Sequence, residues 1–113
     1  GSAPDIGAYE WNTKHYWIPG RQLETATTPI PKNKSIAKAN ADLMFLEARN
    51  ASEHTVYFGT SETKLKKVAK LSDTNIYTPK KLVKGENYFW RVDAMVAGKV
   101  VKGGVWRITV ATE

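Results

Sequence analysis

The sequence predicts an all-β fold, an antiparallel β-sandwich of about seven short strands. Three observations carry that expectation. Residues alternate between two faces with a period of two in residues 53–60 and again in residues 88–94, the pattern of half-buried strands. Turn signals rich in Gly, Pro and Asn separate the apolar runs at close spacing, as in all-β sandwiches. No segment carries a convincing helical period.

Residues 2–10, SAPDIGAYE, hold one short alternation, Ile6 and Ala8 against Gly7 and Tyr9, a strand with nothing of its own to pair with. An aromatic-rich link with Trp11, Tyr16 and Trp17 follows and closes at the turn dipeptide Pro19-Gly20. Residues 27–34, TTPIPKNK, read as a proline-broken edge strand or loop, since proline removes a ladder donor that only an edge can spare. In residues 41–49, Leu43 and Phe45 share a face, and the flanking Asn40 and Asn50 favour a strand over a helix. Residues 53–60 set His54, Val56 and Phe58 against Thr55 and Tyr57 and end at Gly59. Residues 61–71 read as a turn followed by a basic edge strand, with one helical turn as the alternative. Lysines on an edge oppose edge-to-edge pairing.

Ile76 and Tyr77 make a brief strand before Pro79. The longest alternation comes next, with Tyr88, Trp90, Val92 and Ala94 on one face and Phe89, Arg91 and Asp93 on the other. It follows the apolar pair Leu82-Val83 and the turn Lys84-Gly85-Glu86-Asn87. A glycine-containing turn before a strand that opens with Tyr is what a tyrosine corner needs: the ring enters the core and the hydroxyl reaches back to a backbone group. Leu82, Gly85 and Tyr88 are its expected members. Residues 96–104, with Gly98, Gly103 and Gly104, give a hairpin return, and residues 105–110 place Trp106, Ile108 and Val110 on one face.

A chain of 113 residues suits one domain with a short appendage. Its 42% hydrophobic and 25% charged content is ordinary for a globular protein. The absence of cysteine excludes disulfides and thiolate metal sites. No apolar run approaches the ~20 residues of a helical span, so no membrane insertion is expected. No signal-peptide pattern is present, and Gly1-Ser2 reads as a cloning scar, so the chain is expected to be one piece of a longer protein. The net charge of +6 is uneven, with seven lysines and one acid between Lys64 and Lys84. That segment accounts for the whole excess.

The combination Leu82-x-x-Gly85-x-x-Tyr88-x-Trp90-Arg91-Val92-Asp93, followed by Lys102-Gly103-x-Val105-Trp106, resembles fibronectin type III-like domains. It is similar to the variety attached to bacterial secreted carbohydrate-active proteins, in which segments like Tyr57-Phe58-Gly59-Thr60-Ser61 and Tyr88-Phe89-Trp90-Arg91-Val92-Asp93 recur. The match runs from about Thr27 to the C-terminus and departs at Phe45, where such domains usually place Trp. A second motif, Pro4-Asp5-Ile6-Gly7-Ala8-Tyr9-Glu10, resembles the closing segment of right-handed parallel β-helix proteins, the architecture of many polysaccharide lyases. Together the resemblances imply that residues 1–23 are a tail or linker, the remnant of the last coil of a preceding β-helix domain. Residues 24–113 would form an immunoglobulin/fibronectin type III-like sandwich. They further imply an extracytoplasmic bacterial protein, a β-helix domain of the same chain as partner, and a monomer.

The residues that bear on chemistry are few. Glu53 and His54 are strand neighbours and point to opposite faces, so His54 reads as a partly buried packing residue; His15 has no evident partner. No nucleophile elbow, phosphate loop or paired-histidine spacing occurs. Asp73-x-Asn75 lacks the Gly and terminal Glu of a calcium loop and reads as a surface turn. Trp90 and Trp106 read as core. Arg91 and Asp93 read as an exposed same-face pair worth on the order of a few tenths of a kcal/mol. Trp11, Tyr16 and Trp17 fit either a clamp for the linker or a platform for sugar rings. Lys66, Lys67 and Lys70 fit either a solvated edge or a contact for an acidic glycan, while nucleic acid would need stacking aromatics among the lysines. No metal site and no cofactor are expected. The function expected is a non-catalytic C-terminal accessory domain of a secreted polysaccharide-processing protein; the alternative is a carbohydrate-binding module for an acidic glycan.

Overall fold

Runs of β-branched and aromatic residues, each cut short by Gly, Pro or Asn, favour strands too brief to stand alone and oblige them to pair across the chain. A computed structural model describes Ile18 and residues 20–72, 74–80 and 82–112. Among them are nine strands: β1 (Thr27–Ile30), β2 (Ser35–Ala37), β3 (Leu43–Leu46), β4 (Ala51–Gly59), β5 (Lys66–Leu71), β6 (Ile76–Tyr77), β7 (Asn87–Val96), β8 (Lys99–Val101) and β9 (Val105–Val110). The larger sheet runs β2-β9-β7-β4-β5, with β8 also paired to β7, and the smaller runs β1-β3-β6. Every pairing is antiparallel except that of β2 with β9. The fold is an all-β sandwich, as the alternation predicts.

The core lies where the two sheets face each other. Leu43 and Phe45 from β3 meet Val56 from β4, Trp90 and Val92 from β7, and Ile108 and Val110 from β9. None of these is more than 1% exposed. Burying each such side chain is worth about 1.5–3 kcal/mol. Phe45, the departure from the family pattern, is completely buried, its ring 5.0 Å from that of His54. Phe58 stacks on Tyr88 with centroids 5.2 Å apart and meets Tyr77 at 6.1 Å. Trp90 and Trp106 meet edge to face at 4.7 Å.

The structure adds one strand to those the sequence predicts. Residues 27–34 resolve into a bulged edge strand, with Thr28 at a positive φ, followed by a crossing to the other sheet. There Ser35–Ala37 forms β2, which the sequence reading lacks. Its ladder is completed from outside, by Lys34 N–H donating to the Arg107 carbonyl at 2.7 Å and Ala111 N–H to that of Ala37 at 2.8 Å. The basic segment 66–71 is the edge strand expected of it and not the alternative helical turn, and it forms the lateral edge of the larger sheet.

Tyr88 closes the corner. Its ring is buried and its hydroxyl accepts the Val83 N–H at 2.9 Å. Gly85 occupies φ +84°, a region where a side chain is strained. In that conformation its N–H reaches the Val110 carbonyl at 2.9 Å, while Val110 N–H returns to the Glu86 carbonyl at 2.9 Å. The connection before β7 is therefore sewn to β9 as well as to the tyrosine. Tyr88→Phe keeps the ring and removes only the acceptor. It is expected to cost about 1–2 kcal/mol of unfolding free energy in urea, the loss of one part-buried hydrogen bond.

Candidate functional site

Strands that bury one face leave the other for contacts outside the domain. On the larger sheet that face carries Phe89, Arg91 and Asp93 from β7, Thr55 and Tyr57 from β4, Arg107 from β9, and Lys67 and Lys70 from β5. Arg91 lies in register with Tyr57 on one side and Val105 on the other. Its guanidinium sits 4.2 Å from the Tyr57 ring centroid, a cation–π contact. The same guanidinium grips Asp93 with two hydrogen bonds, Nε to Oδ1 at 2.8 Å and Nη2 to Oδ2 at 3.1 Å.

Asp93 corrects the sequence reading, which places this pair on an exposed surface. The residue is 7% exposed, and its carboxylate also accepts the Gly103 N–H at 3.1 Å. Gly103 is required for that approach, because a Cβ there would overlap the Val92 carbonyl oxygen. The carboxylate therefore fastens β7 to the chain between β8 and β9.

The lysines of β5 divide between two pleats. Lys67 and Lys70 pair with Tyr57 and Thr55 on the outer face, whereas Lys66 pairs with Phe58 and lies on the opposite pleat. All three are exposed. Lys70 approaches Glu53 at 3.7 Å, a surface ion pair that contributes little. Trp11, Tyr16 and Trp17, the sugar-platform candidates, lie outside the described residues, as do His15 and the motif at residues 4–10.

His54 is 5% exposed, and its Nε2 accepts the Ala48 N–H at 3.1 Å. An imidazole that accepts at Nε2 is neutral, with its proton on Nδ1. Burial lowers its pKa from the ordinary 6.5, opposed in part by the charge of Glu47. This histidine holds the loop after β3. Asn75 is another interior polar group, fully buried, with Nδ2 donating to the Phe45 carbonyl at 2.9 Å. The surface turn expected around it is thus wrong at Asn75, which faces inward because the backbone at Phe45 needs a donor. Beside His54 lies an open polar cavity of about 300 Å³ bordered by Glu47, Ser52, Ser72 and Thr74. A second of about 330 Å³ lies between Arg49, Val96, Lys99 and Val101. Among the described residues no group of three or more His, Asp or Glu could hold a metal ion.

No family model matches the chain, and no curated protein matches it in sequence. Solved structures match it in fold. A fibronectin type III-like protein from Clostridium thermocellum superposes with a TM-score of 0.62 at 16% identity, over 80% of this chain and 95% of that one. The fibronectin type III domain of human fibronectin type III domain containing protein 3 gives 0.56 at 14% identity, over 85% and 93%. A β-1,2-glucanase from Parabacteroides distasonis gives 0.57 at 13% identity, over 80% of this chain but only 13% of the glucanase. The fold is fibronectin type III-like.

Two outcomes follow from the buried polar groups. The folded chain resists protonating His54 and the unfolded chain does not. Its contribution is therefore complete above pH 6.5 and is lost as pH falls through the lowered folded value. Urea midpoints should fall from pH 7 to pH 5, and His54→Gln should flatten that slope. Asp93→Ala leaves the Arg91 guanidinium and the Gly103 N–H without their acceptor, and should cost about 2–3 kcal/mol in the same assay.

Proposed function

We propose that this chain is a non-catalytic accessory domain of a secreted bacterial polysaccharide-processing protein, packed on a preceding β-helix domain and spacing it from its surroundings. The observation that carries this reading is the recurrence of the same fold within 13% of a β-1,2-glucanase chain, the proportion of an appended module. The segment entering the sandwich supports the packing role. Ile18 is buried, the Leu23 carbonyl accepts the Arg49 N–H at 2.7 Å, and Gly20 lies against Leu46. The chain that joins the sandwich to what precedes it is thus held to β3 and its loop.

His54 supports the non-catalytic part, since its acceptor nitrogen is committed to a backbone N–H. In this reading the domain acts outside the cytoplasm as a monomer, with no metal or cofactor, and the exposed lysines of β5 keep its edge from pairing with another copy. Incubated with neutral and acidic polysaccharides, the chain is expected to release neither reducing ends nor unsaturated products. Release above the level of a heat-denatured control overturns the reading.

A further inference from the structure

One diagonal of outward side chains on the larger sheet runs between two exposed cations. Arg107 on β9 is in register with Phe89 on β7. Phe89 is opposite Gly59 on β4, so Tyr57, two residues back, is its diagonal neighbour. Tyr57 is in turn opposite Lys67 on β5. The order across four strands is cation, ring, ring, cation. With adjacent strands about 4.8 Å apart, the backbones at the two ends are separated by roughly 15 Å. Arg107 and Lys67 are exposed, and neither makes an ion pair with a described residue. The rings are half-buried, and Tyr57 is held by Arg91, itself clamped by Asp93. A surface already ordered loses less freedom on binding than one that must be assembled.

We propose that the row Arg107–Phe89–Tyr57–Lys67 is a binding surface for an extended carboxylated polysaccharide. The inference rests on the polysaccharide-associated reading above and gives it a ligand class and a place. A pyranose ring presents a flat C–H face, positively polarised, that suits the negative face of an aromatic ring. Carboxylates on neighbouring sugars take charge-assisted hydrogen bonds from a guanidinium or an ammonium. Cations at both ends, with rings between them, match a chain whose anions flank an apolar stretch. The lysine-rich segment 64–84 adds a long-range attraction for any polyanion. A nucleic-acid strand fits less well, because it stacks successive bases on a series of aromatic faces and this row offers two half-buried rings. From the lysines marked by sequence the surface takes Lys67, and it adds Arg107 and both rings.

The test is affinity electrophoresis in gels cast with polygalacturonate, alginate or dextran, on variants whose thermal melts show them folded. The chain should be retarded by at least one of the two carboxylated polymers and not by dextran. Arg107→Ala and Lys67→Ala should each raise the apparent Kd about tenfold or more, the loss of one charge-assisted hydrogen bond. Phe89→Leu should weaken binding as well, and Lys99→Ala on β8 should leave it unchanged. Migration unaffected by either carboxylated polymer overturns the inference, as does equal retardation of Arg107→Ala, Lys67→Ala and Lys99→Ala. Tighter binding of an oligothymidylate than of both carboxylated polymers overturns it in favour of nucleic acid. These outcomes are separate from turnover: a chain that neither binds nor cleaves removes this surface and leaves the accessory reading standing.

Discussion

The hydrogen bond from the Val83 N–H to the Tyr88 hydroxyl sets where the longest strand begins, and through it the register of most of the larger sheet. β7 pairs directly with β4, β8 and β9. A slip of one residue would turn Trp90 and Val92 outward and Arg91 into the core. The same corner reaches β9 through Gly85 and Glu86, each bonded to Val110. β9 in turn provides the ladder on which β2 forms. A local loop geometry thus fixes contacts far apart in sequence, which lowers the entropy cost of finding them.

The interior polar groups show a related economy. His54, Asn75 and Asp93 each meet a main-chain group: the Ala48 N–H, the Phe45 carbonyl and the Gly103 N–H. Burying such side chains without partners would cost free energy. Here each one joins a strand to a loop or to another strand. His54 and Asp93, of types that elsewhere perform acid–base chemistry, here fasten backbone, as the amide of Asn75 does.

Much of the sandwich was legible in the sequence because its central strands carry strict alternation. Leu43 with Phe45, Val56 with Phe58, and the series from Tyr88 to Ala94 face where a period of two places them. β2 was not legible, because three residues carry no period and their pairing depends on a strand some seventy positions later. Asp93 was read as exposed because its burial comes from Gly103, ten residues on, whose lack of a side chain admits the backbone. Asn75 was missed because only the fold brings it to the Phe45 carbonyl. The outer row was beyond reach for a similar reason. It needs the registers of four strands at once, including a shift between Val56 and Tyr57 that decides which lysine stands beside the ring.

The β7–β8 hairpin has a property that follows from how it is fastened. Its tip, Ala97-Gly98, takes positive φ at both positions, and a Cβ on Gly98 would meet nothing within 4 Å. This two-residue turn sets the register in which Val96 faces Lys99, and the bond from the Gly103 N–H to Asp93 fastens the far end. The apex is therefore limited by backbone conformation and not by packing: a substitution there meets open space but must tolerate a left-handed φ.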